Sequence, residues 1–292
     1  MRWVTDHTFR STCGYSVGLG MGNEPASSIR EQVVSPTGRD GVAASLPAAS
    51  RGGLSLVLLG GFELRVDGHP LHAPLSAQRV VAFLALNPGR FSRIFVAGQL
   101  WTLASEERAA GALRTALWRL GQPAGALVCC EGQRLSLNPD VEVDITDASS
   151  IARRLLGDAD VAVTQTAFAA LRDAGELLPD WYDDWVLVDR ERFRQLRLHV
   201  LERLCLSFSD EGRYAAATEA GLAAVASEPL RESAHRALIE AHLAAGNPCE
   251  ALRQYEICRR LLRRDLDLAP SAVLEGLIGP LRRRATAPVT AW

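Results

Sequence analysis

The chain has 292 residues, of which 48% are hydrophobic and 23% charged, and its formal net charge is −2. This length allows two domains, and this composition is ordinary for a globular protein. The charge excludes a bulk polycation, so any binding of nucleic acid must come from a local basic patch. The sequence contains no lysine, which excludes a phosphate-binding loop that ends in Gly-Lys.

The sequence lacks the signals that are typical of several other classes of protein. The six cysteines have no Cys-x-x-Cys spacing, so we expect neither a metal site nor a disulfide framework. The apolar runs are too short to cross a bilayer, and the first residues contain no apolar core of signal-peptide length. No nucleophile or dinucleotide motif is found. We therefore expect a cytoplasmic protein without membrane contact, enzymatic activity, cofactor or metal.

The first third of the chain changes character at residue 54. Residues 1–53 are rich in Gly, Ser, Pro and Ala without periodicity, which predicts a disordered leader. Residues 54–75 alternate apolar and polar side chains and contain Gly60-Gly61 and Asp67-Gly68. This pattern predicts a small antiparallel sheet with hairpin turns.

Three helices and a second hairpin are predicted next. Ser76 is placed to cap a first helix that stops at Asn87, Ser92 a short second helix and Ser105 a third. The segments "ALVCC" and "RLSLN" flank Glu131-Gly132-Gln133, which predicts a hairpin over residues 126–138. Residues 54–147 thus form one predicted domain of sheet, three helices and hairpin.

The third helix contains "ERAAGALRTALWRL", residues 107–120. On a helical wheel the predicted core stripe is Ala110, Leu113, Leu117 and Leu120. A solvated face would explain the arginines opposite this stripe but not the tryptophan. Such a face suits a DNA groove, and it is also typical of protein interfaces. The face could therefore contact duplex DNA, another protein or solvent, and the sequence leaves these three alternatives open. It consists of Arg108, Gly111, Arg114, Thr115, Trp118, Arg119 and Gln122.

The second half of the chain predicts a helical repeat. Gly212 and Gly246 lie one 34-residue period apart, and Ala217 and Ala251 fall in matching register. Glycine at the turn and alanine where helices approach closely are typical of tetratricopeptide units. We predict a mainly α protein in which an α+β region with a helix-turn-helix precedes an all-α, tetratricopeptide-like domain over 148–284, with a tail over 285–292.

Two quoted stretches carry a family resemblance. "FLALNPGRFSRIFVAGQLW" followed by "ASEERAAGALRTALWRL" resembles the winged-helix domain of antibiotic regulatory (SARP-type) transcriptional activators. "GELLPDWYDDWVLVDRERFRQLRLHVLERL" and the helices after it resemble the bacterial transcriptional activator domain. The family implies an OmpR-type winged helix, paired protomers (a homodimer) on direct repeats in double-stranded promoter DNA, and recruitment of RNA polymerase through its sigma subunit.

The resemblance also implies roles for particular residues. The reading helix would be 106–121, the positioning helix 93–101 and the wing 126–138, while the loop 102–105 would meet polymerase. The aromatic residues after Leu178 are expected to pack the junction between the domains, a ligand pocket being the alternative: Trp181, Tyr182 and Trp185. The implied base or phosphate contacts are Arg79, Ser92, Arg93, Arg108, Arg114, Thr115, Trp118, Arg119, Gln133 and Arg134.

The sequence departs from the family at several positions. Thr102 and Leu103 stand where proline and an acid are expected, and Gly121-Gln122 stand where arginines are expected. Residues 54–147 contain eight arginines against nine acids, which implies few phosphate contacts and a shallow salt dependence. These departures favour an alternative, a tetratricopeptide-like protein-interaction module with a degenerate DNA-binding domain.

Overall fold

The computed structural model describes residues 53–121, 124–157 and 165–286. The predicted leader, apart from Gly53, and residues 287–292 of the predicted tail lie outside them. Within these ranges no helix combines the length and apolar character that crossing a membrane requires. One hydrophobic core cluster includes residues from Leu56 in the first strand to Ala241 in the helical region.

The amino-terminal region contains a four-stranded sheet. Its strands lie in the order β3-β2-β1-β7, with antiparallel pairing of β1 to β2 and of β2 to β3. The sequence did not predict β7, which runs parallel to β1. The bounds are β1 Leu54–Val57, β2 Glu63–Val66, β3 His69–Leu71 and β7 Glu142–Val143.

Three helices and a second sheet complete this region. The antiparallel second sheet has the order β4-β6-β5, and β5 and β6 form the predicted hairpin. The prediction that Ser76 caps the first helix is wrong, since the cap position is Pro74 and the helix begins one residue before Ser76. The bounds are α1 Leu75–Leu86, β4 Phe91–Ser92, α2 Arg93–Leu100, α3 Glu106–Leu120, β5 Val128–Glu131 and β6 Arg134–Leu137.

The helical region follows the predicted repeat. Gly212 and Gly246 have φ of 72° and 74° at the two turns, a left-handed conformation that glycine adopts without steric cost. Ala217 and Ala251 are fully buried, so their small side chains allow neighbouring helices to approach closely. The bounds are α4 Asp144–Gly157, α5 Gln165–Arg172, α6 Asp184–Asp210, α7 Tyr214–Ser227, α8 Glu232–Ala244, α9 Pro248–Leu266 and α10 Ala272–Thr286.

The predicted boundaries at 147/148 and 284/285 fall inside the helices α4 and α10. Asp144, the first residue of α4, accepts hydrogen bonds from the backbone N–H groups of Leu58 and Leu59 at 2.9 Å each. Burial raises the pKa of Asp144, although these N–H groups oppose that shift. The start of α4 is therefore part of the amino-terminal sheet, while residues 285 and 286 still belong to α10.

A second contact joins the two regions beyond α5. The N–H of Gly60 donates to the carbonyl of Glu176 at 2.7 Å, and the N–H of Leu178 donates to the carbonyl of Leu58 at 2.9 Å. A Cβ on Gly175 would lie 2.8 Å from the Gly60 backbone, so only glycine fits there. We call this contact, residues 58–60 against 175–178, the joint.

Candidate nucleic-acid interface

The helix α3 buries a different stripe from the predicted one. Its buried residues are Ala109, Leu113, Ala116 and Leu120, whereas Ala110 and Leu117 are only partly buried. Two alanines enter the core because α3 packs against both α1 and α2. The predicted polar face nevertheless stays outward. Five of the predicted site residues are exposed on it: Arg108, Arg114, Thr115, Trp118 and Arg119.

Trp118 is the largest apolar side chain on this face, with 81% of its surface exposed. The helical region does not cover it. Gly111, one turn before Thr115, is bordered by open space, and a Cβ there would meet only the Arg114 side chain at 3.9 Å. The backbone at Gly111 can therefore approach another surface closely.

The Thr115 hydroxyl is already engaged, because it donates to the Gly111 carbonyl at 3.0 Å. The donor capacity of this hydroxyl is thereby used, whereas its oxygen can still accept a hydrogen bond and its methyl group stays free. An apolar methyl can contact the C5-methyl group of thymine in a major groove.

The start of α2 and the wing are brought together by the second sheet. Ser92 caps α2, with its hydroxyl accepting from the Phe95 N–H at 3.2 Å. The Arg93 N–H donates to the Gln133 carbonyl at 2.9 Å, and Ser92 pairs in register with Arg134. Ser92, Gln133 and Arg134 are exposed. Two of the predicted backbone-contacting elements are thus held side by side.

Five arginines of these elements have no ion-pair partner among the described residues: Arg93, Arg108, Arg114, Arg119 and Arg134. Glu106 and Glu107 lie in the first turn of α3, and five other acids of the region lie away from its outward face. Glu63 pairs with Arg65 and Glu131 with Arg90. Three more acids line a cavity of about 630 Å³ between α1, β6 and α4, to which α3 contributes no residue: Asp140, Glu142 and Asp147. The count of eight arginines against nine acids therefore does not show that, beyond the first turn of α3, the outward face carries guanidinium groups without ion-pair partners among the described residues.

Arg79, predicted as a phosphate contact, has a different role in the structure. Its guanidinium pairs with Asp183 and donates to the Leu100 carbonyl at 2.7 Å, and it lies 5.9 Å from the Trp101 ring centroid. Only 22% of the side chain is exposed. Arg79 thus connects α1 to the start of α6, and its guanidinium is already bonded within the protein.

The aromatic residues expected at the junction divide into two groups. Trp181 stacks on Phe62 with ring centroids 5.8 Å apart, and Trp185 meets Phe83 edge-on at 5.4 Å. These tryptophans lie between the two regions. Tyr182 differs from the expectation, because 81% of its surface is exposed and it covers no part of the junction.

Sequence reasoning missed Asp144 and Asp183 as residues that hold the regions together. Asp144 lies in the first turn of α4, and Asp183 occupies the N-cap position of α6. No local signal marks their second contacts. Gln122, named on the predicted face, lies outside the described residues, and the described residues contain no cluster of three metal-ligating side chains.

The comparisons agree with the resemblance. Residues 143–282 match the family model of the bacterial transcriptional activator domain. A winged helix precedes the matched domain, and the resemblance to SARP-type transcriptional activators is supported by this match and by a curated relative that aligns over 77% of the chain. The matched model belongs to transcriptional regulators rather than to an enzyme class.

Two particular proteins resemble this chain. The regulatory protein AfsR of Streptomyces coelicolor is 29% identical over 252 residues, which cover 77% of this chain. The match spans only 24% of AfsR. The structure of Mycobacterium tuberculosis EmbR in complex with a low-affinity phosphopeptide matches with a TM-score of 0.64 and 20% identity. It covers 79% of this chain and 65% of the other, and at this identity it supports the fold alone.

Proposed function

We propose that the chain is a sequence-specific DNA-binding transcriptional activator. One observation carries the proposal: α3 presents Trp118 and three arginines that have no ion-pair partner in the described part of the chain, and the described helical region does not cover them. Arginine pairs with guanine edges or phosphates, and the indole contacts sugars or thymine methyl groups. Arg93, Gln133 and Arg134 flank this helix as backbone contacts.

The assembly on DNA is part of the same proposal. A homodimer would occupy direct repeats, with half-sites about one or two turns of roughly 10.5 base pairs apart. The loop 102–105 would meet RNA polymerase and its sigma subunit, and Leu103 in this loop is fully exposed. The proposed location is the cytoplasm, where bacterial promoter DNA lies.

A second candidate is an interaction module whose winged helix no longer reads DNA. The balance of eight arginines to nine acids in residues 54–147 favours it. A partner protein would then contact Trp118 and its neighbours, since tryptophan and arginine are also enriched at protein interfaces.

Titration of the full chain with its upstream promoter fragments, by fluorescence anisotropy at several salt concentrations, tests the proposal. Arg114→Ala should lower the affinity by about 1–3 kcal/mol on the specific site if the side chain pairs with a base. Arg192→Ala removes an equally exposed arginine on α6 that pairs with Asp189, and it should leave binding unchanged. Equal loss on every sequence would mark Arg114 as a phosphate contact. No salt-dependent binding to any duplex would overturn the proposal in favour of the interaction module.

A further inference from the structure

A cavity in the helical region is lined by four arginines. It has a volume of about 490 Å³ and lies where the end of α5, the first half of α6 and the end of α7 meet. Small-molecule sites commonly enclose about 300–1,000 Å³. The lining contains one acid, Glu176. The lining arginines are Arg172, Arg190, Arg194 and Arg197.

Two of these guanidinium groups are compensated mainly by neutral oxygens. Arg197 donates to the carbonyls of Leu171 and Arg172 and to the Ser227 hydroxyl, and no described carboxylate lies within ion-pair distance. Burial lowers the pKa of Arg197, against the opposing effect of Asp173. Positive charge held in this way is stabilised further by an anion.

Arg190 occupies a similar position beside the joint. It donates to the backbone carbonyls of Leu177, Leu178 and Trp181. Its nearest carboxylate is that of Glu176, at 3.3 Å, and this acid is 57% exposed. Arg190 therefore connects the wall of the cavity to the segment that contacts the amino-terminal region.

The other two arginines have carboxylate partners, of which Asp173, Glu191 and Glu219 are exposed and Glu228 is partly buried. Arg172 pairs with Asp173 and Glu219, and Arg194 pairs with Glu191 and Glu228. Surface ion pairs of this kind contribute only about 0–1 kcal/mol each. A multiply charged anion can exchange with them at little cost, because guanidinium groups bind phosphoryl and carboxylate oxygens in bidentate geometry.

We propose that this cavity binds a small molecule that carries two or more closely spaced anionic groups, phosphoryl or carboxylate. Its charged groups would contact Arg194 and Arg197, and the rest of the molecule would lie against Ala223 and Ala226, whose small side chains leave the space open. Binding would be transmitted to the joint, because Glu176 and Leu177 line the cavity and also contact Gly60 and Leu59. The site does not require DNA.

Calorimetric titration and thermal unfolding of the full chain test this proposal, with inorganic pyrophosphate as the phosphoryl probe and citrate as the carboxylate probe. Ionic strength is held constant with NaCl. We expect saturable binding of one equivalent of at least one probe and a concentration-dependent rise in melting temperature. The stronger probe identifies the preferred anionic group.

Two variants and one control locate the binding. Arg194→Gln should weaken binding by about tenfold or more, and Ala226→Phe should block the cavity while keeping every charge. Arg253→Gln is the matched control, since Arg253 is 73% exposed on α9 and pairs with an acid three residues earlier, as Arg194 does with Glu191. Absence of saturable binding, or equal weakening by the control, would overturn the proposal. Circular dichroism establishes that each variant is folded.

Discussion

The two regions of the molecule differ in how their arginine side chains are bonded. In the amino-terminal region five arginines around α3 have no ion-pair partner among the described residues. In the helical region many arginines pair with carboxylates, as Arg231 does with Glu202, or bond to backbone carbonyls, as Arg203 does with Leu156. Charge counted over a whole domain thus says little about its surface, because what matters is which guanidinium groups the fold has already satisfied.

The largest expected effect would come from removing a structural arginine. Arg231 bonds to Glu202, Ser233 and Gln195, and its side chain is 21% exposed. Arg231→Ala should lower the free energy of unfolding by about 3 kcal/mol, because it leaves Glu202 partly buried without its cation. Arg119→Ala on α3 should change it by less than about 0.5 kcal/mol. Urea unfolding measures the free energy of unfolding of both variants. Similar losses of stability would show that the arginines of the two regions do not differ in structural role.

A second prediction concerns the joint. Gly175→Ala places a methyl group 2.8 Å from the Gly60 backbone. Relief of this overlap should cost about 1–3 kcal/mol of stability. Gly276→Ala is the control, since a Cβ at Gly276 meets nothing within 4 Å. If Gly175→Ala proved neutral, the two regions would not be held as closely as the hydrogen bonds indicate.

The helical region should contribute a pH effect on stability near neutral pH. His235 is fully buried, with its Nε2 bonded to the Pro229 carbonyl and its Nδ1 to the Gln254 amide. Burial lowers the pKa of His235, against the effects of the Pro229 carbonyl and Glu232. The unfolded chain therefore takes up this proton first, and stability should fall as pH drops below about 6.5. His235→Gln should flatten that part of the stability profile, and an unchanged slope would contradict the assignment.

The smallest expected effect tests how Thr115 reads a base. Because its hydroxyl donates to Gly111, Thr115→Val should retain DNA affinity, whereas Thr115→Ser should lose about fourfold, the value of one buried methyl. Replacing thymine by uracil in the half-site should produce the same loss in the wild type and little further loss in Thr115→Ser. Loss in Thr115→Val would instead show that the hydroxyl contacts DNA.

Local signals predicted much of the fold. Most helices and strands were predicted from three local signals: turn glycines, the cap at Ser92 and the change of hydrophobic period. Each of these signals depends on residues only a few positions apart. Contacts between residues that are distant in sequence could not be predicted from such local signals. Arg79 pairs with Asp183, 104 residues later, and β7 joins β1 across the whole region. The α3 stripe was misplaced because alanine becomes a core residue only where two helices approach closely.

The candidate site was predictable in composition but not in chemistry. The exposed face of α3 follows from periodicity alone. Periodicity does not show which groups are available for binding. The Thr115 hydroxyl proton is bonded within the helix, and the Arg79 guanidinium pairs with Asp183. Hydrogen bonding between side chains and distant partners decides such questions.

The carboxylate of Asp144 has a practical consequence for dividing this chain. A fragment that stopped just before α4 would lose the acceptor for two strand N–H groups, and one that continued through α4 but omitted 175–178 would uncover the far side of Gly60. We therefore expect the shorter fragments to aggregate or to lose the order of the first sheet. An isolated amino-terminal region would need substitutes for both the Asp144 contact and the joint.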